Sequence, residues 1–163
     1  LYMTKDLHEE GDGGWLDPYP APGEHLSVGE VGVYLPSGKG KREDLTVLTY
    51  ANGLWMSLRV AKRLADEGVR VKVIDLRWLS PLPLEALQAH VSSKTPVLIV
   101  DECRRNSGIA ESLATALWSA HPGLSMSLVT GADTYIPLGA AANLVLVQEQ
   151  DIERGMRDLL EAQ

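Results

Sequence analysis

Asp44-Leu45-Thr46-Val47-Leu48-Thr49-Tyr50-Ala51-Asn52-Gly53 opens the stretch whose reading decides the fold, and Val69-Arg70-Val71-Lys72-Val73-Ile74-Asp75-Leu76-Arg77 closes it. The first run is rich in β-branched residues and stops at Asn52-Gly53, as a strand running into a turn does. Between the two runs, Leu54, Leu58, Ala61 and Ala65 recur on one face of a predicted helix, with Arg59, Lys62, Arg63 and Asp66 on the other. Gly68 stands where a helix end favours a left-handed residue. The second run alternates and then turns apolar, so it reads as a strand. A crossover of this length joins parallel neighbours and is right-handed in nearly all cases. Helices must then cover the sheet, which predicts an α/β domain.

Outward from this unit, the amino-terminal side has no periodicity up to about Ser27. Glu9-Glu10-Gly11-Asp12-Gly13-Gly14 and Pro18-Tyr19-Pro20-Ala21-Pro22-Gly23 are turn and linker chemistry. Trp15, Leu16 and Tyr19 are apolar enough to lie against a surface. The expected division is an arm over residues 1–27 and a domain over 28–163. Val28 to Leu35 reads as a short strand, closed by Pro36-Ser37-Gly38. Gly38-Lys39-Gly40-Lys41 lacks the spacing of a phosphate loop and is expected to be an ordinary basic turn.

On the carboxyl-terminal side, Pro81 and Pro83 delay a helix whose face is Leu84, Leu87 and Val91. Val97-Leu98-Ile99-Val100-Asp101 is apolar enough for a central strand covered on both faces. A helix with Ile109, Leu113, Ala116, Leu117 and Ala120 on one face ends at His121-Pro122-Gly123. Leu124 to Val129 reads as a strand and Leu144 to Val147 as an extended or buried piece. Asp151 is the expected N-cap of a last helix with Ile152, Met156, Leu159 and Leu160 inward.

The 163 residues suffice for one domain with a core, and 45% apolar content excludes wholesale disorder. A net charge of −7 argues against nucleic acid, which calls for a surplus of Lys and Arg. No apolar run is long enough to span a bilayer. One cysteine excludes an intrachain disulfide and a Cys-rich zinc site, and points to a cytoplasmic setting. The chain starts at Leu1 rather than Met, so it is expected to be a piece of something longer.

Ligands of open parallel sheets meet the chain at the carboxyl ends of the strands. Those ends gather Asp75 and Arg77, then Asp101, Glu102, Arg104 and Arg105. One reading is a carboxylate or phosphate site with arginine as a bidentate clamp. The favoured reading is plainer: these charges pair with one another and with loop amides. Cys103 beside two arginines has the setting of a lowered thiol pKa, but no histidine is visibly coupled to it. Trp55, Trp78 and Trp118 read as core or interface residues. No hydrolase elbow, zinc-protease motif or dinucleotide fingerprint is present, so no catalytic, cofactor-binding or metal-ligating residue is assigned.

Several segments, in order, resemble one family. They are Pro36-Ser37-Gly38-Lys39 with Asp44 to Gly53, Val73-Ile74-Asp75-Leu76-Arg77-Trp78-Leu79-Ser80-Pro81-Leu82, Val100-Asp101-Glu102, Gly108-Ile109-Ala110-Glu111 and Val129-Thr130-Gly131-Ala132-Asp133-Thr134-Tyr135-Ile136-Pro137. Together they are similar to the C-terminal domain of the transketolase superfamily, nearest in pattern to the β subunit of the E1 component of 2-oxo acid dehydrogenases of pyruvate or branched-chain type. The resemblance implies a three-layer α/β fold with a mixed, mostly parallel five-stranded sheet. It also makes Leu1-Tyr2-Met3 the tail of a preceding pyrimidine-binding domain.

The resemblance further implies an oxidoreductase parent that decarboxylates a 2-oxo acid and acylates lipoyl-E2, using thiamine diphosphate with magnesium held outside this piece. The piece alone is expected to be inactive and to bind no cofactor. Its partners would be the other E1 domains or subunits, a second β-type subunit in a dimer, and the E2 acyltransferase. Departures from the family pattern are Cys103-Arg104-Arg105-Asn106-Ser107 before a single Gly108, and Gln148-Glu149-Gln150-Asp151 before the last helix. Two alternatives stand beside it: a transketolase or deoxyxylulose-phosphate synthase C-terminal domain, and a free-standing flavodoxin-like domain that binds a phosphate-bearing ligand.

Overall fold

A computed structural model describes residues 5–35 and 42–162. The turn at Gly38 to Lys41, the segment Pro36-Ser37-Gly38-Lys39 and the tail Leu1-Tyr2-Met3 lie outside the described residues, wholly or in part.

The strands are β1 (Gly32–Tyr34), β2 (Leu45–Thr49), β3 (Val71–Asp75), β4 (Val97–Arg104) and β5 (Met126–Gly131). The helices are α1 (Asn52–Asp66), α2 (Leu84–His90), α3 (Ile109–Ala120) and α4 (Glu149–Glu161), with a 3₁₀ turn over Gly139–Leu144. The five strands form one sheet in the order β1-β3-β2-β4-β5. β2 lies parallel to β3, with Leu45 opposite Val71, and parallel to β4, with Leu48 opposite Ile99. β5 runs parallel to β4, and only β1 is antiparallel, Gly32 facing Asp75. The architecture is therefore the three-layer, mostly parallel α/β fold that the resemblance implied.

Two apolar clusters fill the space above and below the sheet. α1 and α4 close one face, burying Leu54, Val60, Leu64, Ile152 and Met156 against Leu45, Val47, Val73 and Leu98. α2 and α3 close the other, burying Leu87, Leu113 and Leu117 against Leu48, Ile74, Val97 and Ile99. The β4 run is buried from Val97 to Asp101 because both faces are covered.

Several local expectations shift. The inward face of α1 is Gly53, Leu54, Met56, Ser57, Val60 and Leu64, whereas Leu58 and Ala61 are half-buried and Ala65 is exposed. Apolar residues ring this helix on more than one side, so periodicity alone admits two stripes, and the sheet selects the one with the small residues Gly53 and Ser57. Asp151 is the third residue of α4, not its N-cap. Gln148 caps the helix while the Asp151 carboxylate accepts the Gln148 N–H at 3.0 Å, a reciprocal capping box. Leu84 is partly exposed, β1 is shorter than Val28 to Leu35, and β5 starts two residues later than expected. Of Leu144 to Val147, Leu144 ends a 3₁₀ turn and is exposed, while Val147 is buried as one of the two readings had it.

The β4–β5 ladder carries an irregularity. Asp101 pairs with Thr130, but the next pair is Arg104 with Gly131, leaving Glu102 and Cys103 as extra residues. Gly131 makes this possible, because a Cβ there would lie 2.9 Å from the Glu102 carbonyl oxygen.

Residues 5–31 hold no strand or helix. The Trp15 ring packs against that of Trp55, centroids 4.0 Å apart and tilted by 42°, and Glu9 pairs with Lys62 at 3.3 Å. Tyr19 is fully open and Leu16 largely so. Within this segment, Asp12 accepts four backbone N–H groups, those of Gly14, Leu7, His8 and Glu9. These hydrogen bonds hold its carboxyl far below the usual range.

Candidate functional site

The carboxyl ends of β2, β3 and β4 lie side by side, at the place where the chain reverses direction across the sheet. β2 feeds β3 on one side and β4 lies on the other, so this is the switch point at which open α/β sheets take ligands.

Asp101 is the centre of the cluster. It is 1% exposed, yet each of its acceptor oxygens is used. Oδ1 accepts the Tyr50 hydroxyl at 2.6 Å and the Cys103 N–H at 2.9 Å, and Oδ2 accepts the Ala110 N–H at 3.0 Å. The last bond satisfies an orphan donor in the first turn of α3, where a negative charge is also favoured by the helix dipole. Gly108 precedes that turn because a Cβ there would sit 2.9 Å from Oδ2. Burial and the neighbouring Asp101 carboxylate push the Tyr50 hydroxyl upward in pKa. The Cys103 sulfur lies 3.6 Å from the same hydroxyl and is exposed.

The other strand-end charges are also engaged. Glu102 accepts the Asn52 side-chain N–H at 3.0 Å, joining the tip of β4 to the start of α1. Arg77 pairs with Asp75 at 3.3 Å and lies over Gly32, where a Cβ would meet its guanidinium at 2.7 Å. Arg104 donates to the Asn106 carbonyl at 3.4 Å, and Arg105 is exposed. The structure thus brings Asp101 and Glu102 together with Tyr50 and Asn52. Asp75 with Arg77 forms a second group on the β1 side, and Arg104 and Arg105 turn outward.

Ala51 has φ 49° and ψ −127°, a left-handed backbone for a residue with a Cβ, at the turn from β2 into α1. Such outliers persist where surrounding contacts fix them. Here Tyr50 and Asn52 on either side are both tied to β4.

Sequence reading missed the Tyr50–Asp101 pair. Its signal is the register: Leu48 faces Ile99, so two residues further on Tyr50 faces Asp101. It also missed the apolar loop after β5, where Tyr135, Ile136, Leu138 and Leu144 are all exposed.

The group that the family implies, thiamine diphosphate with magnesium, finds poor donors at this edge. Asp75, Asp101 and Glu102 would face the diphosphate with negative charge, Arg77 is already engaged by Asp75, and Tyr50 donates to Asp101. Among the described residues, no three His, Cys, Asp or Glu side chains are placed to hold a metal ion. The residues present do not fit the group, and no chemical step is derived through it.

Fold and edge together define an α/β domain whose strand ends are closed by its own side chains. The chain belongs to the transketolase C-terminal domain family, whose model matches residues 38–152. Curated relatives include the pyruvate dehydrogenase E1 component subunit beta of Staphylococcus aureus, 29% identical over 127 residues. The protein of the same description from Bacillus subtilis is 30% identical over 127 residues, which is 74% of this chain. The chain spans 39% of the length of each of these relatives. Among solved structures, a split-gene transketolase described as an inactive beta4 tetramer superposes with a TM-score of 0.71 at 20% identity. That match covers 90% of this chain and 46% of the other. A 2-oxoglutarate:ferredoxin oxidoreductase from Magnetococcus marinus gives a TM-score of 0.54 at 15% identity, over 80% of this chain and 20% of that one. At these identities the two structures speak to the fold. Among the described residues, no helix is long and apolar enough to cross a membrane.

Proposed function

We propose that this chain is the C-terminal, assembly-supporting part of the β portion of a thiamine-diphosphate-dependent 2-oxo acid dehydrogenase E1. The observation that carries the reading is the family match over residues 38–152 together with E1 beta relatives at 29–30% identity. In such a parent the coenzyme supplies the carbanion chemistry and other domains hold it. This domain contributes rigidity and surface. Its switch point is closed by Asp101, Tyr50, Asn52 and Glu102, which fits a module that supports neighbours rather than one that takes substrate. Its partners are the remaining E1 domains or subunits, a second β-type subunit, and the E2 acyltransferase that receives the acyl group. The carboxylate-lined edge speaks against a free-standing phosphate-binding domain.

The test is reconstitution. The full parent protein, mixed with its α-type partner, thiamine diphosphate and magnesium, should decarboxylate pyruvate or a branched-chain 2-oxo acid and acylate a lipoyl domain. The 163-residue chain alone should show no turnover and no calorimetric heat with thiamine diphosphate. Turnover or coenzyme binding by this chain alone would remove the reading. Ketol transfer between sugar phosphates by the parent, without 2-oxo acid decarboxylation, would replace it with transketolase.

A further inference from the structure

The two ends of the sheet differ in charge. At the carboxyl ends of the strands stand Asp75, Asp101 and Glu102, with the Tyr50 hydroxyl and the Asn52 amide committed to the last two. At the amino ends an open cleft of about 540 Å³ lies between the residues before β2, the turn from α1 into β3 and the connection before β4. That volume is within the range of about 300–1,000 Å³ ordinary for small-molecule sites. Gly68, Val69 and Leu160 give the cleft an apolar part, and Arg42 and Lys94 line it with positive charge.

Three carboxylates line the same cleft, and each is already matched by a cation. Asp44 accepts the Arg70 Nη2–H at 2.7 Å, the Nε–H at 3.1 Å and the Arg70 backbone N–H at 2.9 Å. Glu43 accepts the Lys72 ammonium at 2.6 Å, and Glu67 accepts both Nη groups of Arg157 at 2.7 and 2.8 Å. The two arginines hold the Asp44 and Glu67 carboxyls below the usual carboxylate range. Arg42 and Lys94 are different: among the described residues, neither is paired with a carboxylate. The Arg42 Nε–H and Nη2–H both donate to one neutral acceptor, the buried Thr95 hydroxyl, at 3.2 and 2.9 Å. This fixes the guanidinium beside the residue that follows Lys94 and leaves its Nη1 group without an acceptor among the described residues.

We propose that this cleft binds the phosphate group of a small phosphate monoester, with Arg42 as the clamp and Lys94 as a second point of charge. A guanidinium already oriented by Thr95 offers its remaining N–H donors to an oxyanion, and the Lys94 ammonium adds a compact, mobile charge. A dianion suits a cleft with two uncommitted cations. A chain of net charge −7 can hold such a ligand only where positive charge is left over, and the strand tips with Asp75, Asp101 and Glu102 do not offer that. Gly68 has no side chain to fill the cleft, and beside it Val69 and Leu160 leave an apolar wall for the organic part of an ester. A ligand seated there touches the entries to β2, β3 and β4 and the end of α4, so it braces four parts of the fold at once. The site lies at the opposite end of the sheet from the switch point and does not depend on the E1 reading.

Titration of the 163-residue chain, followed by calorimetry and by backbone amide NMR, tests this at low ionic strength, where exposed charges are least screened. Inorganic phosphate and AMP should bind with dissociation constants on the order of 1 mM or lower, and adenosine should not bind. The amide signals of Gly68, Val69, Lys94 and Thr95 should move while those of Asn52 and Gly53 stay in place. AMP at about ten times its dissociation constant should raise the melting temperature by about 3 °C. Lys94→Ala, a change at an exposed side chain, should weaken AMP about fivefold and leave the melting curve of the free chain unchanged. Arg42→Lys should weaken it as well, since an ammonium lacks the planar fork. Tighter binding of AMP than of inorganic phosphate identifies an organic ester, and equal binding identifies free phosphate; either supports the site. Absence of binding by both anions, adenosine binding as well as AMP, shifts confined to the strand tips, or binding indifferent to both substitutions would overturn the proposal. None of these readouts depends on decarboxylation, so failed reconstitution removes the E1 reading and leaves the cleft standing.

Discussion

The layer formed by α1 and α4 and the layer formed by α3 lie on opposite faces of one sheet and are held by polar contacts of opposite kinds. α1 and α4 are laced along their rims by charges. Arg59 reaches Glu149 at 2.6 Å, Arg63 reaches Glu149 at 2.7 Å and Glu153 at 3.1 Å, and Arg157 bridges Glu153 at 2.9 Å and Glu67 at 2.7 Å. All of these groups keep contact with solvent, so each pair is weak and screened by salt. Among the described residues, α3 has one polar fastening to the sheet, the buried Asp101 carboxylate at its first turn. Many shallow contacts tolerate the loss of any one, while a single buried contact does not. The difference also suits their positions, because the Asp101 contact lies beside the strand tips, where the direction of α3 must be held.

The largest break should come from Asp101→Ala. Three donors lose their acceptor at once, which should cost about 3–4 kcal/mol and lower the melting temperature of the chain by roughly 10 °C. Asp101→Asn keeps one acceptor oxygen and should cost about half as much. Equal melting curves for Ala and wild type would sink the account of α3.

Next in size is Gly155→Ala in the opposite layer. Its Cβ would lie 2.8 Å from Val129 Cγ2 and 3.2 Å from Leu98 Cδ1. Overpacking of this kind costs about 1–3 kcal/mol, read as a lower midpoint in urea. A neutral result would show that α4 can lift from the sheet, which its charged rim would then have to permit.

Acid should loosen the charged rim of α4. Partial burial works to raise the Glu149 carboxyl, but hydrogen bonds from Arg63 and Arg59 outweigh it and hold the pKa below the ordinary 4.5. Arg157 and Arg63 do the same for Glu153. A depressed folded-state pKa contributes stability that is full above the unfolded value and fades as pH falls through the lowered one. Amide exchange along α4 should therefore quicken as pH falls through the lowered carboxyl pKa values of Glu149 and Glu153. Exchange along α4 that is indifferent to pH in this range would contradict the role given to its charged rim. Smallest of all, Arg63→Ala should cost about 0.5 kcal/mol, and less in high salt.

The strand-helix-strand unit from Leu45 to Asp75 was legible because its signals are local: β-branched runs, a helical period, and Gly68, whose φ of 88° is the left-handed value expected of it. The inward stripe of α1 was not, since a sheet that wants Gly53 and Ser57 beneath it overrides a choice made on apolarity. β1 lies inside the strand read over Val28 to Leu35, but its three-residue extent and its antiparallel direction leave no local signal, and only the resemblance implied a mixed sheet. The strand-end residues Asp75, Arg77, Asp101 and Glu102 could be named from their place after each strand. Their partners could not, because Tyr50 and Asp101 are 51 positions apart and meet through register alone. The open edge of β5 likewise depends on knowing which strand comes last in the sheet.

The irregularity at the tip of β4 has a consequence for how such a domain can diversify. Glu102 and Cys103 are slack taken up between Asp101 and Arg104, while the ladder beneath stays in step with β5. Insertions or deletions above Asp101 would change the length of that slack and leave the seating of the strands alone. The rim of this sheet is thus a place where new loops can be grafted onto an unchanged foundation, with Gly131 as the position that must stay bare.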